Sequence, residues 1–315
     1  MIRALAKGAL LAGFGVTKTT AEWYRTITRE WMGSQATHVD KLQRVWPGYV
    51  EVWRSYGVEL DGATTWVHEG GWTPFPFLAN HLVTGSAGIV TNHEGRMLDR
   101  YLARAVNGAL ACDLPADLPL DKRRHDLEPL RWADTVEDAV AQLGGRLHEG
   151  IDPAVVPLDG ESVDICHSGG TLEHYRPAEL EAFLAEARRV LKPGGTMSHV
   201  FDHRDHLHHA DARWPFLRHY RMADLSYRMF CGNPLLYHNR LLPGEIAGMF
   251  EAAGFERVAI RRMMLPSRRY VEDGTDMSGG RFGIARSQLA RRFAAATDDD
   301  LRTAAAHYLY RRPGR

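Results

Sequence analysis

The sequence predicts an α/β fold built on a doubly wound, mostly parallel sheet. Three observations carry that prediction. From residue 64 onward, short β-type runs alternate with helical runs. Glycine turns at 69–73 and 168–170 each follow such a run. Residues 163–195 read as a buried strand, a loop, an amphipathic helix and a Lys-Pro-Gly-Gly turn into another strand. In open sheets of this kind ligands sit at the carboxyl ends of the strands. Residues 69–73, 92–95, 152–155, 167–175 and 202–209 are therefore expected to share one rim.

The elements follow in order. Residues 1–60 read as a helical N-terminal extension or lid. MIRALAKGALLAGFGV has the look of a short signal peptide, but Lys7 interrupts its apolar run and no small-x-small cleavage site follows, so it reads as an amphipathic helix. Trp23, Ile27 and Trp31 recur at helical spacing after possible caps at Thr19 or Thr20. LQRVWPGYVEVWRSYG is aromatic-rich and is expected to break at Pro47-Gly48. Residues 61–315 then form one domain. TTWVHEGG is the first strand, FPFLANHLVTG a helix, AGIVTN the second strand and 95–111 a helix. The Pro- and Asp-rich stretch 113–135 reads as an irregular insertion. RLHEGID, SVDICHS and TMSHVFD supply strands three to five. PGEIAGMFEAAG is a helix, ERVAIRRMM a sixth strand and AAHYLYRR a seventh. Further insertions are expected near 207–240 and 266–300.

Composition narrows the class. The 315 residues carry 39 Lys plus Arg and 39 Asp plus Glu, so no overall field favours nucleic acid or an anionic membrane. Cys112, Cys166 and Cys231 are isolated and lack metal-ligand spacing, which suggests a reducing, cytoplasmic setting. No run approaches the roughly 20 apolar residues a membrane span needs.

Five motifs carry chemistry. Glu69-Gly70-Gly71-Trp72-Thr73-Pro74 is a glycine turn where a ligand can approach the backbone; a tight structural turn would look the same. At the end of the second strand, nucleotide-binding folds place a carboxylate that accepts from both ribose hydroxyls. This chain offers Asn92 or His93 there, with Glu94 late. Ser168, Gly169 and Gly170 would let the chain pass under a cofactor, and Glu173-His174 follow. The run 199–209 holds five histidines. His203 or His206, oriented by Asp205, could take a proton from an attacking hydroxyl or amine. The same groups could hold a metal with Glu173 or His174, or form a solvated loop. Tyr237-His238-Asn239-Arg240 precedes a helix, and Arg261, Arg262, Arg268 and Arg269 read as a solvated strand face.

Ser168-x-x-x-Leu172-Glu173-His174, then Leu191-Lys192-Pro193-Gly194-Gly195, then Asp202, Arg204, Asp205 and His206 of an Asp-x-Arg-Asp-His run resemble class I methyltransferases that use S-adenosylmethionine (SAM), of the type 11-like small-molecule kind. The resemblance implies a seven-stranded Rossmann-like methyltransferase sheet of order 3-2-1-4-5-7-6, the seventh strand antiparallel. It implies SAM at Glu69, Gly70, Gly71, Trp72, Asn92, His93, Asp152, Ser168 and Gly169. Aligned on Gly71-Trp72, Val67 falls at the family's acidic position and Glu69 at its first glycine, so that acid is lost or shifted. In the resembling ubiquinone-type O-methyltransferases, Leu-Glu-His lies in a divalent-metal or substrate-facing loop with another acid three residues earlier; here that residue is Gly170. The implied function is O- or N-methylation in small-molecule biosynthesis, with His206 or His203 as base, Asp205 orienting it and His174 the outsider. Two alternatives stand beside it. One is a methyltransferase fold that now does metal-dependent chemistry through Glu173, His174, His203 and His206. The other is a non-catalytic relative. The expected partner is a small-molecule acceptor, with neither nucleic acid nor membrane; a homodimer is left open.

Overall fold

A computed structural model describes residues 2–14, 34–69, 71, 73–86, 88–93, 97–209, 217–233, 235–264, 269–271 and 286–314, together with 17, 19–21, 23–24 and 27. Eight strands form one sheet: β1 (Thr65–His68), β2 (Ile89–Asn92), β3 (Arg146–Glu149), β4 (Val163–Gly169), β5 (Leu191–Asp202), β6 (Glu256–Met264), β7 (Arg269–Val271) and β8 (Ala305–Arg311). Their order is β3-β2-β1-β4-β5-β8-β6-β7. The first five pair in parallel, and β8 runs antiparallel to both β5 and β6. Those seven strands stand in the expected order. The short β7, inside what reads as the 266–300 insertion, adds an edge by pairing antiparallel with β6.

Each inner strand is buried on both faces, which is why it reads as a near-continuous apolar run rather than an alternating one. Val67, Val90, Ile165 and Leu309 face one core. Trp66, Ile89, Cys166, Met197 and Tyr308 face the other. The ten buried residues of α3 (Phe75–Thr84) fill the first core, with α2 (Ser34–Ser55) and α4 (Leu102–Leu110) packed beside it. The second core belongs to α7 (Pro177–Val190) and α9 (Pro243–Ala252). Both of these helices open on proline, and each has a glutamate on the N-cap amide: Glu179 to Arg176 N at 2.6 Å and Glu245 to Leu242 N at 2.8 Å.

Two helical expectations are corrected. α2 does not break at Pro47; it runs unbroken through it. Proline there strands the carbonyl of Gln43, and Cys112 Sγ fills the gap with a hydrogen bond at 3.5 Å. Trp46, Val50 and Trp53, on one face of the same helix, are fully buried and offset the local loss. Removing the thiol in Cys112→Ala should lower unfolding free energy in urea by about 1–3 kcal/mol. An unchanged midpoint would show that the Gln43 carbonyl does not depend on it.

The stretch 113–135 is not irregular: it holds α5 (Leu120–Leu127) and a tight turn, Glu128–Trp132. Leu120, Leu127 and Leu130 anchor it to the first core. The buried Arg123 guanidinium bonds the carbonyls of Leu82 and Val83 and the carboxylate of Asp61, so it caps the end of α3. α1 (Ile2–Phe14) precedes α2, and α6 (Val136–Gln142) leads into β3. In the N-terminal region Trp23 is exposed, and Trp31 lies outside the described residues. Of the 207–240 insertion the structure describes mostly tight turns and α8 (Asp224–Cys231); of the 266–300 one, β7, two more turns and the start of α10 (Asp298–Arg302). Among the described residues, no helix is long and apolar enough to cross a membrane.

A buried polar chain ties the N-terminal helix to the sheet. Trp53 Nε1 donates to Ser198 Oγ at 2.6 Å, and Ser198 Oγ meets His307 Nε2 at 2.7 Å. An indole N–H can only donate, so Ser198 Oγ accepts from Trp53 while it meets His307.

Candidate active site

The carboxyl ends of β1, β2, β4 and β5 form the rim. Parallel pairing fixes this: Val67 lies beside both Val90 and His167, and Gly169 beside Val200.

The cofactor half begins at the turn after β1. Glu69 takes a left-handed conformation (φ 54°) that side chains rarely adopt, and Gly71 follows at φ 76°. This is the conformation expected of the family's first glycine, the position at which Glu69 stands. Gly70 and Trp72 lie outside the described residues, as does Glu94. Glu69 Oε1 accepts the backbone amide of His93 at 2.5 Å. Asn92 is buried; its Nδ2 donates to Gly71 O at 3.1 Å, and its Oδ1 has no partner among the described residues. The His93 ring is exposed and bonds Ile151 O through Nδ1 at 2.9 Å, while Asp152 Oδ1 accepts from Ala154 N. Ser168 Oγ meets His199 Nδ1 at 2.8 Å. A Cβ added to Gly169 would stand 2.4 Å from the Tyr49 hydroxyl of α2, so that helix closes over the β4 loop. The described ones among the expected SAM residues thus fall at the ends of adjacent strands, and the donors and acceptors there suit such a cofactor.

The acceptor half lies at β4 and β5. Glu173 is 3% exposed; Oε1 accepts from Asp202 N at 3.3 Å and Oε2 has no partner among the described residues. Burial, with the Asp202 carboxylate adding to it, pushes its carboxyl up to about 8. Asp202 pairs with Arg204 at 2.6 Å. The rings of His174, His206 and His238 follow one another tilted, with centroids 4.8 Å apart at each step, and His219 lies 4.5 Å beyond His238, edge-on. Asp205 Oδ1 holds the amide of Leu207, which fixes the turn carrying His206.

His203 departs from this group. It stands one residue past β5, its amide extends the pairing to Ala304 O, and its ring turns inward to Tyr308 Oη at 3.0 Å. Burial holds it down near 4. The four residues of the metal-site alternative therefore do not gather. Three of them do: Glu173, His174 and His206 offer donor atoms within 4.8 Å of one another. The tautomers of His174 and His238 can be read from their partners. His174 Nδ1 meets the carbonyl of Tyr237 at 3.1 Å, so Nδ1 carries the proton and Nε2 the lone pair. The Tyr227 hydroxyl donates to His238 O, so it accepts from His238 Nδ1, and Nε2, which has no partner among the described residues, again keeps a lone pair.

The segment 237–240 clasps this corner from outside. Asn239 donates to the carbonyls of Leu172 and Tyr175, and Arg240 pairs with Asp224 while lying over the Tyr227 ring. Of the arginine cluster, Arg262 is largely buried and reaches Asp299 at 3.6 Å rather than facing solvent. Three participants carried no sequence signal that was read. His219 lies in a stretch without periodicity. His68 ends β1 buried, stacked on Phe183 and bonded to Tyr175 Oη at 2.7 Å. Tyr49 would have been found from the i, i+3, i+7 spacing of Trp46, Tyr49 and Trp53, had the helix been carried through Pro47.

Residues 117–198 match the methyltransferase domain family. The match starts after β2, so it omits Glu69 and Asn92. No curated protein matches the chain. Among solved structures, the chain is similar to a SAM-dependent methyltransferase from Mesorhizobium loti (13% identity, 85% of this chain and 97% of that one, TM-score 0.44). It is also similar to one from Methanosarcina mazei (12%, 84% and 98%, TM-score 0.43). A third likeness is to a chain of the complex between the Haloferax volcanii Trm112 methyltransferase activator and a methyltransferase (16%, 90% and 97%, TM-score 0.45). At those values they are likenesses only. The sheet thus has the strand order expected of the class I methyltransferase fold, and residues 117–198 within it match the methyltransferase domain family.

Proposed function

We propose that the chain transfers the methyl group of SAM to a hydroxyl or amine of a small-molecule acceptor, with His206 receiving the acceptor's proton. One observation carries the choice of His206: its half-buried ring stands at the rim, against His174, while the other candidate, His203, is buried on Tyr308. When bound, SAM supplies an electrophilic methyl on a sulfonium. The chain's own work is to hold the acceptor in line and take its proton. Asp205 sets the turn that carries His206, and the 237–240 segment walls the pocket. Residues 1–60 act as its lid, and 61–315 as the catalytic domain; the Tyr49–Gly169 contact supports that division. The balanced charge disfavours a nucleic-acid substrate, and the isolated cysteines suit a reducing, cytoplasmic setting. Calorimetry should show SAM binding in the micromolar range, and S-adenosylhomocysteine should form with members of a panel of phenols, catechols and amines. No heat at millimolar SAM would overturn the reading.

A second reading rests on the convergence of Glu173, His174 and His206. Two imidazoles and a carboxylate suit zinc, iron(II) or manganese better than magnesium. In that reading these three residues hold the ion, and the protein does metal-dependent chemistry. Metal analysis of freshly purified protein decides it: less than a tenth of an equivalent of any transition metal, before and after incubation with zinc, removes it.

A further inference from the structure

We infer that Glu69 is the carboxylate that receives the ribose diol of the cofactor, supplied from the turn after β1 in place of an acid at the end of β2. The inference rests on the proposed use of SAM. Three observations converge on it. First, the usual position offers no charge: Asn92 ends β2 buried, its Nδ2 is committed to Gly71 O at 3.1 Å, and what it has left to accept with is one neutral amide oxygen. Second, a carboxylate stands at that place all the same. Glu69 Oε1 lies on the amide of His93, the first residue beyond β2, at 2.5 Å. In nucleotide-binding folds the ribose acid occupies this tip of the second strand, some 20 residues beyond the glycine turn. Third, Glu69 holds a left-handed backbone (φ 54°) that glycine would adopt without strain. A strained side chain kept at a ligand rim points to a role beyond the turn itself.

The chemistry is specific. An ionised carboxylate accepts from two adjacent hydroxyls, whereas a neutral amide oxygen offers fewer acceptor sites and no charge. One carboxylate oxygen is anchored by the His93 amide, so the group is oriented before the ligand arrives and little ordering is left for binding. The two functions of the rim acids, split between β1 and β2 in the resembling family, are thereby merged in one residue. This explains why both familiar positions look empty in the sequence: Val67 and Asn92 flank an acid that serves from between them.

Role and strain predict opposite effects of one substitution, which makes the test clean. S-adenosylhomocysteine and its 2′-deoxy analogue are titrated by calorimetry into the full-length protein and into Glu69→Gly and Glu69→Gln, with thermal midpoints recorded in parallel. The parent protein should prefer the ribose form by about tenfold or more, since hydrogen bonds to charged groups are worth about ten- to hundredfold. Glu69→Gly should lose that preference and bind S-adenosylhomocysteine about ten- to hundredfold more weakly, with a thermal midpoint equal to or above the parent's. Glu69→Gln, which keeps shape but not charge, should fall between. If the parent binds S-adenosylhomocysteine and Glu69→Gly binds it equally well, the inference fails while the methyl-transfer reading stands. If the parent binds neither ligand at millimolar concentration, both fail.

Discussion

Between pH 7.5 and pH 5 the protein should lose most of its resistance to urea. The cause is a set of histidines sealed in the two cores. His68, His167 and His307 are held down near 3 and His203 near 4, chiefly by burial. Each is neutral when folded, and each regains a value near 6.5 when the chain unfolds. A depressed folded value means that the unfolded chain binds protons the fold cannot. The stability these groups carry is therefore complete above pH 6.5 and is lost as pH falls toward 3–4. At pH 5 the difference is about 2 kcal/mol for each histidine, or about 8 kcal/mol for four. Whole domains are stable by only about 5–15 kcal/mol. Urea unfolding measured at half-unit steps should show a steep fall in midpoint, with proton uptake on unfolding of about four or more near pH 5, since the buried His199, His219 and His238 are held down as well. Staying at or above pH 5 keeps ordinary carboxylates out of the slope; Glu173, protonated in the fold and ionised once unfolded, opposes it by about 3 kcal/mol. A midpoint that hardly moves over this range would mean that the histidines are reached by water in the folded state.

His206→Ala should cut turnover by about 10²–10⁴, the usual worth of a positioned proton acceptor. SAM affinity should be unchanged, because His206 sits at β5 while the cofactor turn is at β1 and β2. The readout is S-adenosylhomocysteine release with the best acceptor of the panel, beside calorimetry with SAM. His203→Ala serves as contrast. It removes a ring buried on Tyr308, so it should lower stability more than it lowers turnover of the folded fraction. If His206→Ala turns over normally, the proton leaves by another route. If both variants lose SAM binding, the defect is structural rather than chemical.

The strands were legible because a buried parallel strand announces itself in composition. VDICHS and TMSHVFD are short apolar runs between turn residues, and they could lie nowhere else in such a sheet. What was not legible depended on partners distant in the chain. The continuity of α2 rests on a thiol at Cys112 that accommodates Pro47. The order within 113–135 rests on Arg123 capping a helix some 40 residues earlier. The rim shows the same division. Two histidines three residues apart, His203 and His206, look equivalent as letters. Only the extra hydrogen bond of His203 to Ala304, which prolongs the strand, sends one ring into the core and leaves the other at the surface. Glu69 was visible as an acid in an unusual place; that its carboxylate crosses to the tip of β2 follows from a backbone angle that no periodicity reports.

β8 is last among the strands in chain order, yet it lies between β5 and β6. Consider the chain emerging from the ribosome. β1 to β5 can pair in order of synthesis, but β5 keeps an open side and β6 has no place to dock until residues 305–311 have appeared. At about 5–20 residues per second, residues 265–304 take roughly 2–8 s to make. Throughout that interval the nascent chain shows two unpaired strand edges, one of them on the twelve-residue β5. Such edges invite pairing with other chains. Slowing translation over that segment should lengthen the exposure, and this is the stretch of synthesis during which a chaperone would do most for the yield of folded protein.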